Sequence, residues 1–338
     1  MSQSLYQLSR VRHYYGDKKV LDIDSLSIPR GSITGLSGPN GSGKSTLLKL
    51  LAFAMKPGHG EIRFNGRVEA PLSPRVRSRV TLLTQKPYLL KRPVFDNVIY
   101  GLKIRKDTKD LSRRAARALD AVGLDYDGFH RRSWHELSGG EAQRVAMAAR
   151  LILKPDALLL DEPVASVDTE SAKLIRRASL AARDDWGCTL IIVSHDLSWL
   201  HECSDTRLSM AGGRIFSTGE ESILPPPYEL TPDGNPVKPL GNRAFIRLSP
   251  KTGATALIRK DRIRICLPGH CRNGYDNRIT SRITQMLLEK KNGNILTTIA
   301  VNSFSLTLSL PPDQVSALGL HPGKEVTLMF HSNDISWR

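Results

Sequence analysis

A glycine-rich stretch near residue 40 constrains this chain more than any other feature. An apolar run at residues 32–37 precedes it, and an apolar helical pattern at residues 47–54 follows it. Between a strand and a helix, glycines let backbone N–H groups surround phosphate oxygens, and the helix N-terminus adds a partial positive charge. We therefore predict a phosphate site in which Lys44 reaches the outer phosphates and the Ser45 hydroxyl binds Mg²⁺. The motif G-x-x-x-x-G-K-[ST] is formed by Gly38, Pro39, Asn40, Gly41, Ser42, Gly43, Lys44 and Ser45, and Thr46 follows it directly.

Composition and charge argue against a nucleic-acid-binding, membrane-spanning or secreted protein. The 338 residues carry a net charge of +16, with +9 in residues 1–224 and +7 in residues 225–338. Because the excess is spread along the chain and no block of five basic residues occurs, we expect no nucleic-acid partner. No apolar run approaches the length of a membrane span, and no signal peptide is recognisable. The four cysteines form no C-x-x-C pair, so we expect reduced thiols in a cytosolic protein.

Short apolar runs alternate with helical patterns in the first two thirds of the chain. Such alternation is typical of an α/β fold with a doubly wound, mostly parallel sheet. Residues 86–135 are richer in Arg and Lys and have helical spacing, which predicts an inserted helical subdomain. The strand candidates are residues 33–37, 80–84, 157–160 and 189–193.

The last third of the chain has a different composition and pattern from the first two thirds. Pro and Gly accumulate at residues 225–241, which we interpret as a linker. Short β-type segments then recur, separated by turns such as Asn292-Gly293-Asn294. We therefore predict a first domain at residues 1–224 and a small all-β domain, an oligonucleotide-fold-like barrel, at residues 242–338.

Polar residues follow three of the predicted parallel strands. Gln85 follows the second strand, Asp161 and Glu162 end the third, and His195 comes after the fourth. Because the carboxyl ends of parallel strands meet at one edge of a sheet, these side chains are expected near the phosphate loop. Each of them alone could equally be a surface amide, a strand-end carboxylate or a capping histidine.

A second helix start lies at Ser138. Ser138 and Glu141 have capping-box spacing, and Gly139 and Gly140 lie between them. The pattern predicts a helix from there to about Leu153, with a second potential anion site at its N-terminus.

Together, the phosphate loop, the glutamine, L-S-G-G-E, D-E-P and S-H-D resemble the ATP-binding-cassette (ABC) ATPases over residues 5–220. The resemblance implies a P-loop ATPase fold that binds ATP and Mg²⁺. It implies that Glu162 is the general base, that His195 contacts the γ-phosphate and that Lys44 supports catalysis. The residues implied to bind ATP are Tyr15, Gly38, Pro39, Asn40, Gly41, Ser42, Gly43, Lys44, Ser45, Thr46, Gln85, Ser138, Gly139 and Gly140, and those implied to hold Mg²⁺ are Ser45, Gln85 and Asp161.

The resemblance also implies partners. Its signature loop, here Ser138 to Gly140, acts on the ATP of a second subunit, and the aspartate loop is Ala165-Ser166-Val167-Asp168. Because one chain has a single phosphate loop and a single signature, a homodimer with two ATP sites is implied. Integral-membrane permease subunits and, indirectly, an extracytoplasmic solute-binding protein complete such a system. The chain would then lie at the cytoplasmic face of the cell membrane as a peripheral protein.

The C-terminal part resembles, more weakly, the small β-domains of tungstate and molybdate importer ATPases. Asn277-Arg278-Ile279-Thr280 and residues 318–327 carry this likeness. It favours an ATPase subunit that powers tungstate import, with molybdate, sulfate or another small solute as the alternative. A soluble non-transport ABC ATPase and a binding protein with an inactive ATP site are the competing classes, and no motif is degraded as the latter would require.

The C-terminal domain departs from the oxyanion-binding pattern that this resemblance implies. Asp276 and its neighbours stand where a serine is expected, and His331 stands where a lysine is expected. Since the carboxylate of Asp276 opposes an anion, we predict that this domain serves mainly in dimer contact and binds oxyanions weakly or not at all.

Overall fold

The computed structural model describes residues 3–165, 167–217, 221–224, 226–241, 244–250, 255–271, 273–289, 293–302 and 304–337. Ser166 of the expected aspartate loop and Asn292 of the expected turn lie outside these residues. The chain forms two compact units, Met1–Ile215 and Phe216–Arg338. Among the described residues, no helix has the length and apolar character needed to cross a bilayer.

The first unit contains two sheets and eight helices in its described part. Its elements are β1 (Ser4–Tyr15), β2 (Lys18–Pro29), β3 (Ile33–Ser37), α1 (Lys44–Leu51), β4 (His59–Phe64), β5 (Arg67–Val68), α2 (Pro74–Arg77), β6 (Val80–Leu83), α3 (Val94–Ile104), α4 (Leu111–Asp120), α5 (Tyr126–Phe129), α6 (Gly139–Leu151), β7 (Ala157–Asp161), α7 (Thr169–Trp186), β8 (Thr189–Val193), α8 (Leu197–Cys203), β9 (Thr206–Ala211) and β10 (Arg214–Ser217).

The larger sheet has the order β10-β9-β3-β8-β7-β6. Strand β3 pairs in parallel with β8 and β9, and β7 pairs in parallel with β6 and β8. The predicted doubly wound sheet is therefore confirmed. The smaller sheet, β2-β1-β4-β5, is antiparallel.

Strand β7 shows why the apolar runs become central strands. Residues 157–160 are completely buried, and they alternate between two hydrophobic cores. Leu158 and Leu160 pack into the core with α3, α4 and α6, whereas Leu159 packs into the core with α1 and β1. A strand that is buried on both faces needs apolar residues at every position, which is the pattern that predicted it.

The second unit is all-β apart from one helix and short 3₁₀ turns in its described part. Its elements are β11 (Glu221–Leu224), β12 (Glu229–Leu230), β13 (Pro236–Gly241), β14 (Ala244–Arg247), β15 (Ala256–Arg259), β16 (Arg264–Cys266), β17 (Asn277–Leu288), β18 (Ile295–Val301), β19 (Phe304–Leu310), α9 (Pro312–Ala317), β20 (Glu325–Phe330) and β21 (Ile335–Trp337).

The predicted β-domain is confirmed, with differences in its arrangement. Its described strands pair as three sheets, β11-β15-β21, β12-β13-β14 and β16-β20-β17-β18-β19, rather than as one closed barrel. We expected the first domain to extend to residue 224, but Glu221–Leu224 pairs with Ala256–Arg259 of the second unit. We also expected residues 225–241 to be a linker, whereas β12 and β13 lie within this range and pair with each other.

Two of the four cysteines are paired, contrary to the prediction of reduced thiols. Cys266 and Cys271 form a disulfide, because the turn after β16 reverses the chain within five residues. Cys188 and Cys203 are free thiols, as we expected. Burial raises the pKa of the Cys188 thiol to about 12 and also raises that of Cys203, so both remain protonated near neutral pH.

Candidate functional site

The glycine-rich loop leaves the end of β3 and leads directly into α1. Gly38 and Gly43 both have positive φ, at 147° and 103°. A Cβ on Gly38 would overlap the carbonyl oxygen of Met210, and one on Gly43 would lie 2.9 Å from that of Val20. Glycine is therefore required at both positions for steric as well as conformational reasons.

A cleft opens above this loop at the carboxyl edge of the parallel sheet. The structure brings together there ten of the residues that the sequence indicated. They contribute a glycine-loop backbone, an ammonium, hydroxyls, an amide, two carboxylates and an imidazole. The lining residues are Val20, Asn40, Gly41, Gly43, Lys44, Ser45, Thr46, Gln85, Asp161, Glu162 and His195.

Val20 is the one lining residue that sequence reasoning missed. It is a half-buried position near the start of β2, and nothing distinguishes it in the sequence from other apolar strand residues. Seven of the residues expected to bind ATP do not line the cleft: Ser138, Gly139 and Gly140, and four others. Gly38, Pro39 and Ser42 belong to the loop itself, and Tyr15 is half exposed at the end of β1.

The Lys44 ammonium lies within the curl of its own loop. It donates to the carbonyl oxygens of Gly38 at 2.8 Å and Pro39 at 3.0 Å. Burial lowers the pKa of Lys44, and the nearby carboxylates of Glu162 and Asp161 oppose this shift. The loop thus orients a partly desolvated cation toward the cleft, where an anion interacts with it more strongly than in water.

Glu162 and His195 also line the cleft, where their side chains form a pair. The Glu162 carboxylate is 9% exposed, and its Oε1 lies 3.3 Å from His195 Nε2. Its Oε2 accepts a hydrogen bond from the His195 backbone N–H at 3.2 Å. Glu162 also has a positive φ of 48°, an uncommon conformation for a side chain of this size. A strained, buried carboxylate beside an imidazole is an arrangement suited to accepting a proton from water.

The cleft also offers donors of the kind that Mg²⁺ prefers. The Ser45 hydroxyl, the Gln85 amide and the Asp161 carboxylate come from α1, the segment after β6 and the end of β7. All three can present oxygen, the ligand atom of hard divalent cations, and none presents sulfur. The donor set therefore fits Mg²⁺ held jointly with phosphate oxygens.

The segment at Ser138 is a helix start, as predicted. The Ser138 Oγ accepts from the Glu141 N–H at 3.2 Å, and Glu141 Oε2 accepts from the Ser138 N–H at 2.8 Å. The backbone bond from Ser138 is the main reason that the pKa of Glu141 is lowered. Ser138, Gly139 and Gly140 are not among the lining residues of the cleft in this chain.

Gly140, in the first turn of α6, packs against the start of α7. Asp168 caps α7 by accepting from the Ser171 N–H at 2.8 Å. A Cβ on Gly140 would lie 2.7 Å from both Asp168 Oδ2 and Ser171 Oγ. The two helix starts are therefore packed so closely that a side chain at residue 140 would have to displace Asp168 and Ser171.

In the second unit, the Asp276 carboxylate accepts hydrogen bonds from the turn that begins at His331. It accepts from the Ser332 N–H at 2.9 Å, with His331 Nδ1 3.6 Å away. The Ser332 hydroxyl also donates to it. Desolvation raises the pKa of Asp276, but the Ser332 bonds outweigh it and the net shift is downward. The donors at this turn already have an internal anion, and weak oxyanion binding stays a prediction.

We expect Gly140→Ala to destabilise the first unit. The new methyl must displace the Asp168 cap, and loss of a cap costs about 1 kcal/mol before any strain is added. Gly139→Ala is the matched control, since a Cβ there has open space around it. Thermal unfolding should show a melting temperature several degrees lower for Gly140→Ala only. Equal melting temperatures would contradict the packing described here.

Known proteins resemble the first unit of this chain in sequence and fold. The family model for ABC transporters matches residues 21–165. The tungstate uptake system ATP-binding protein TupC of Peptoclostridium acidaminophilum is 34% identical over 209 residues, which cover 62% of this chain and 95% of that protein. The spermidine/putrescine import ATP-binding protein PotA of Mycoplasma capricolum is 36% identical over 220 residues, 65% of this chain and 62% of its own length.

A solved structure agrees with the fold. The dimeric ABC cassette MJ0796, in a post-hydrolysis state with ADP and Pi, has a TM-score of 0.58 and 24% sequence identity. The likeness covers 63% of this chain and 98% of that one, so the fold of the first unit is shared. The match with TupC shows family membership as well as fold, because 34% identity extends over 95% of that protein. The chain belongs to the ATP-binding-cassette transporter family, and its first unit is the ATPase domain of that family.

Proposed function

We propose that this chain is the ATP-hydrolysing subunit of an importer, and that its cargo is tungstate. The observation that supports hydrolysis is the convergence of Lys44, Glu162 and His195 on one cleft. Tungstate is supported by the likeness to TupC, which extends over nearly the whole of that protein. The likeness to a spermidine/putrescine import protein favours a second cargo class, a small organic cation.

Each residue of the cleft has a separate task in this proposal. The loop N–H groups and Lys44 bind the phosphates, and Glu162 accepts a proton from the attacking water. His195 donates a hydrogen bond to the γ-phosphate from its position beside Glu162. Mg²⁺ held by Ser45, Gln85 and Asp161 would neutralise charge on the phosphate oxygens. Tyr15, with its ring half exposed, stacks on the adenine.

The proposal includes a second subunit and a membrane partner. Ser138, Gly139 and Gly140 do not line the cleft of their own chain, so in the proposed homodimer they close the cleft of the other chain. Permease subunits at the cytoplasmic membrane face and an extracytoplasmic binding protein supply the translocation path and the cargo. The surface after Gln85, with Tyr88 76% exposed, is the proposed permease contact.

Glu162→Gln should retain ATP binding and lose turnover. The amide preserves the shape but cannot accept a proton, so hydrolysis should fall roughly 100-fold or more. Light scattering of the variant with MgATP should show a gain of dimer mass, because the ATP-bound state persists. Lys44→Ala is the control that should lose binding as well. Hydrolysis by Glu162→Gln at the wild-type rate would reject Glu162 as the base.

Two inactive variants should complement each other if the ATP site is shared. Ser138→Arg disables the signature and leaves the phosphate loop intact, whereas Lys44→Ala does the reverse. A mixed dimer then contains one complete site, so the mixture should recover part of the activity that each variant lacks. If mixed dimers form, as crosslinking of tagged chains can establish, and activity stays absent, sharing between subunits is excluded.

The cargo can be tested in cells that depend on this chain. Lys44→Ala should reduce uptake of labelled tungstate at nanomolar concentration by about tenfold or more, since ATP binding supplies the energy. Uptake of spermidine and sulfate by the same cells should not change. A selective loss of spermidine uptake would instead support the second cargo class.

A further inference from the structure

A charged pair joins α7 to the segment that carries His195. Arg176 lies about two turns into α7 and donates from its guanidinium to the carboxylate of Asp196. The guanidinium also lies 5.1 Å from the centre of the Trp199 ring. Asp196 directly follows His195, so this contact is one residue from the imidazole that lies beside Glu162.

The backbone around His195 is fixed at several consecutive residues. The Ser194 N–H donates to the Leu36 carbonyl of β3, and the Asp196 N–H donates to the Ser194 hydroxyl at 3.0 Å. The other oxygen of Asp196 accepts from the Trp199 N–H at 3.0 Å and so caps α8. One carboxylate therefore orders the start of α8 and, through Arg176, connects that start to α7.

Stability alone does not explain this pair. The Arg176 and Asp196 side chains are 31% and 36% exposed. Exposed ion pairs of this kind contribute about 0–1 kcal/mol to folding. The stacking of Arg176 on the buried Trp199 adds geometric restraint, since a planar guanidinium has few orientations that satisfy both contacts. The pair is thus better suited to fixing a position than to stabilising the unit.

We propose that Arg176 is a positioning residue that, through Asp196, holds His195 in reach of Glu162 and the γ-phosphate. This inference rests on the role proposed for His195 above. Arg176 itself touches neither ATP nor the reacting water. Its helix begins at Asp168, against Gly140, so the same rigid element contacts the signature helix at one end and the His195 segment farther along.

Four variants of the full-length chain separate positioning from bulk structure. Arg176→Met keeps the aliphatic stem on Trp199 and removes the charge, and Asp196→Asn keeps a cap acceptor and removes the ion pair. Arg176→Lys retains the charge. Arg177→Met is the matched control, since Arg177 is the next residue of α7 and its side chain is exposed.

Steady-state ATP hydrolysis is the first readout. We expect kcat to fall about tenfold for Arg176→Met and for Asp196→Asn, since small misplacements of a reacting group cost one to two orders of magnitude. KM for ATP should change less than about twofold, and Arg176→Lys should stay within about threefold of the wild-type kcat. Arg177→Met should match the wild type. An unchanged kcat in Arg176→Met would overturn the proposal. A fall in kcat that comes with a large loss of melting temperature, and that Arg176→Lys does not repair, would also overturn it.

The double variant tests whether the two residues act together. If Arg176 acts through Asp196, Arg176→Met combined with Asp196→Asn should again lose about tenfold in kcat. A product of the two single effects, about 100-fold, would mean independent actions and would contradict the inference.

His195→Ala, measured beside these variants, distinguishes two kinds of failure. Full turnover in His195→Ala would reject the role proposed for His195, and the inference with it. Loss of turnover in His195→Ala together with normal turnover in Arg176→Met would reject the inference alone.

Discussion

The parallel pairing of β3, β8, β7 and β6 is the constraint on which the rest of the first unit depends. Parallel strands put their carboxyl ends at one edge, and each of these four strands is followed by a residue of the cleft. The phosphate loop follows β3, Gln85 follows β6, Asp161 ends β7 and His195 follows β8. Residues more than 150 positions apart in the chain thereby become neighbours without any direct bond between most of them.

The cleft contains opposite charges, on Lys44 and Glu162, and backbone groups hold both side chains in place. Lys44 is desolvated, and its ammonium is directed by two carbonyl oxygens of its own loop. Glu162 is almost fully buried and accepts from the His195 backbone. In a medium of reduced dielectric, the attraction between such charges would be strong if they could move together. Glycines give the loop its positive φ values without strain, whereas the positive φ of Glu162 indicates that the chain accepts local strain to fix this side chain.

The sequence predicted those parts of the fold that depend on local pattern. Apolar runs predicted the central strands because burial on both faces requires them, and the S-x-x-E spacing predicted the capping box at Ser138 because a cap involves only four residues. The candidate cleft was predictable for a related reason, since each of its polar residues directly follows a recognisable strand or lies in the glycine loop. Val20 was not predictable, because its place in the cleft arises from the fold of β2 over the loop.

The wrong predictions concern pairings that residue composition does not encode. Proline-rich segments resemble linkers, yet Pro236 and Pro239 lie in β13, which is paired on both sides. Proline cannot donate a backbone hydrogen bond, but its carbonyl can still accept one, as the Pro236 carbonyl does from the Leu248 N–H at 2.9 Å. The partners of β13 are its neighbours β12 and β14, whereas Glu221–Leu224 pairs with a more distant strand at residues 256–259. The Cys266–Cys271 pairing likewise depends on a turn geometry that cysteine spacing does not encode.

Helix α7 is a single rigid element of the first unit that contacts the Ser138 helix start at its N-terminus and the His195 segment near its middle. Its capping residue Asp168 contacts the position of Gly140, and Arg176 contacts Asp196 beside His195. An α-helix rises 1.5 Å per residue, so the eight residues from Asp168 to Arg176 span about 12 Å. Over that distance a hydrogen-bonded helix deforms little, whereas a loop of equal length would not preserve a separation. The spacing between the helix start at Ser138 and the His195 segment is therefore constrained by α7, which contacts the first through Asp168 and the second through Arg176.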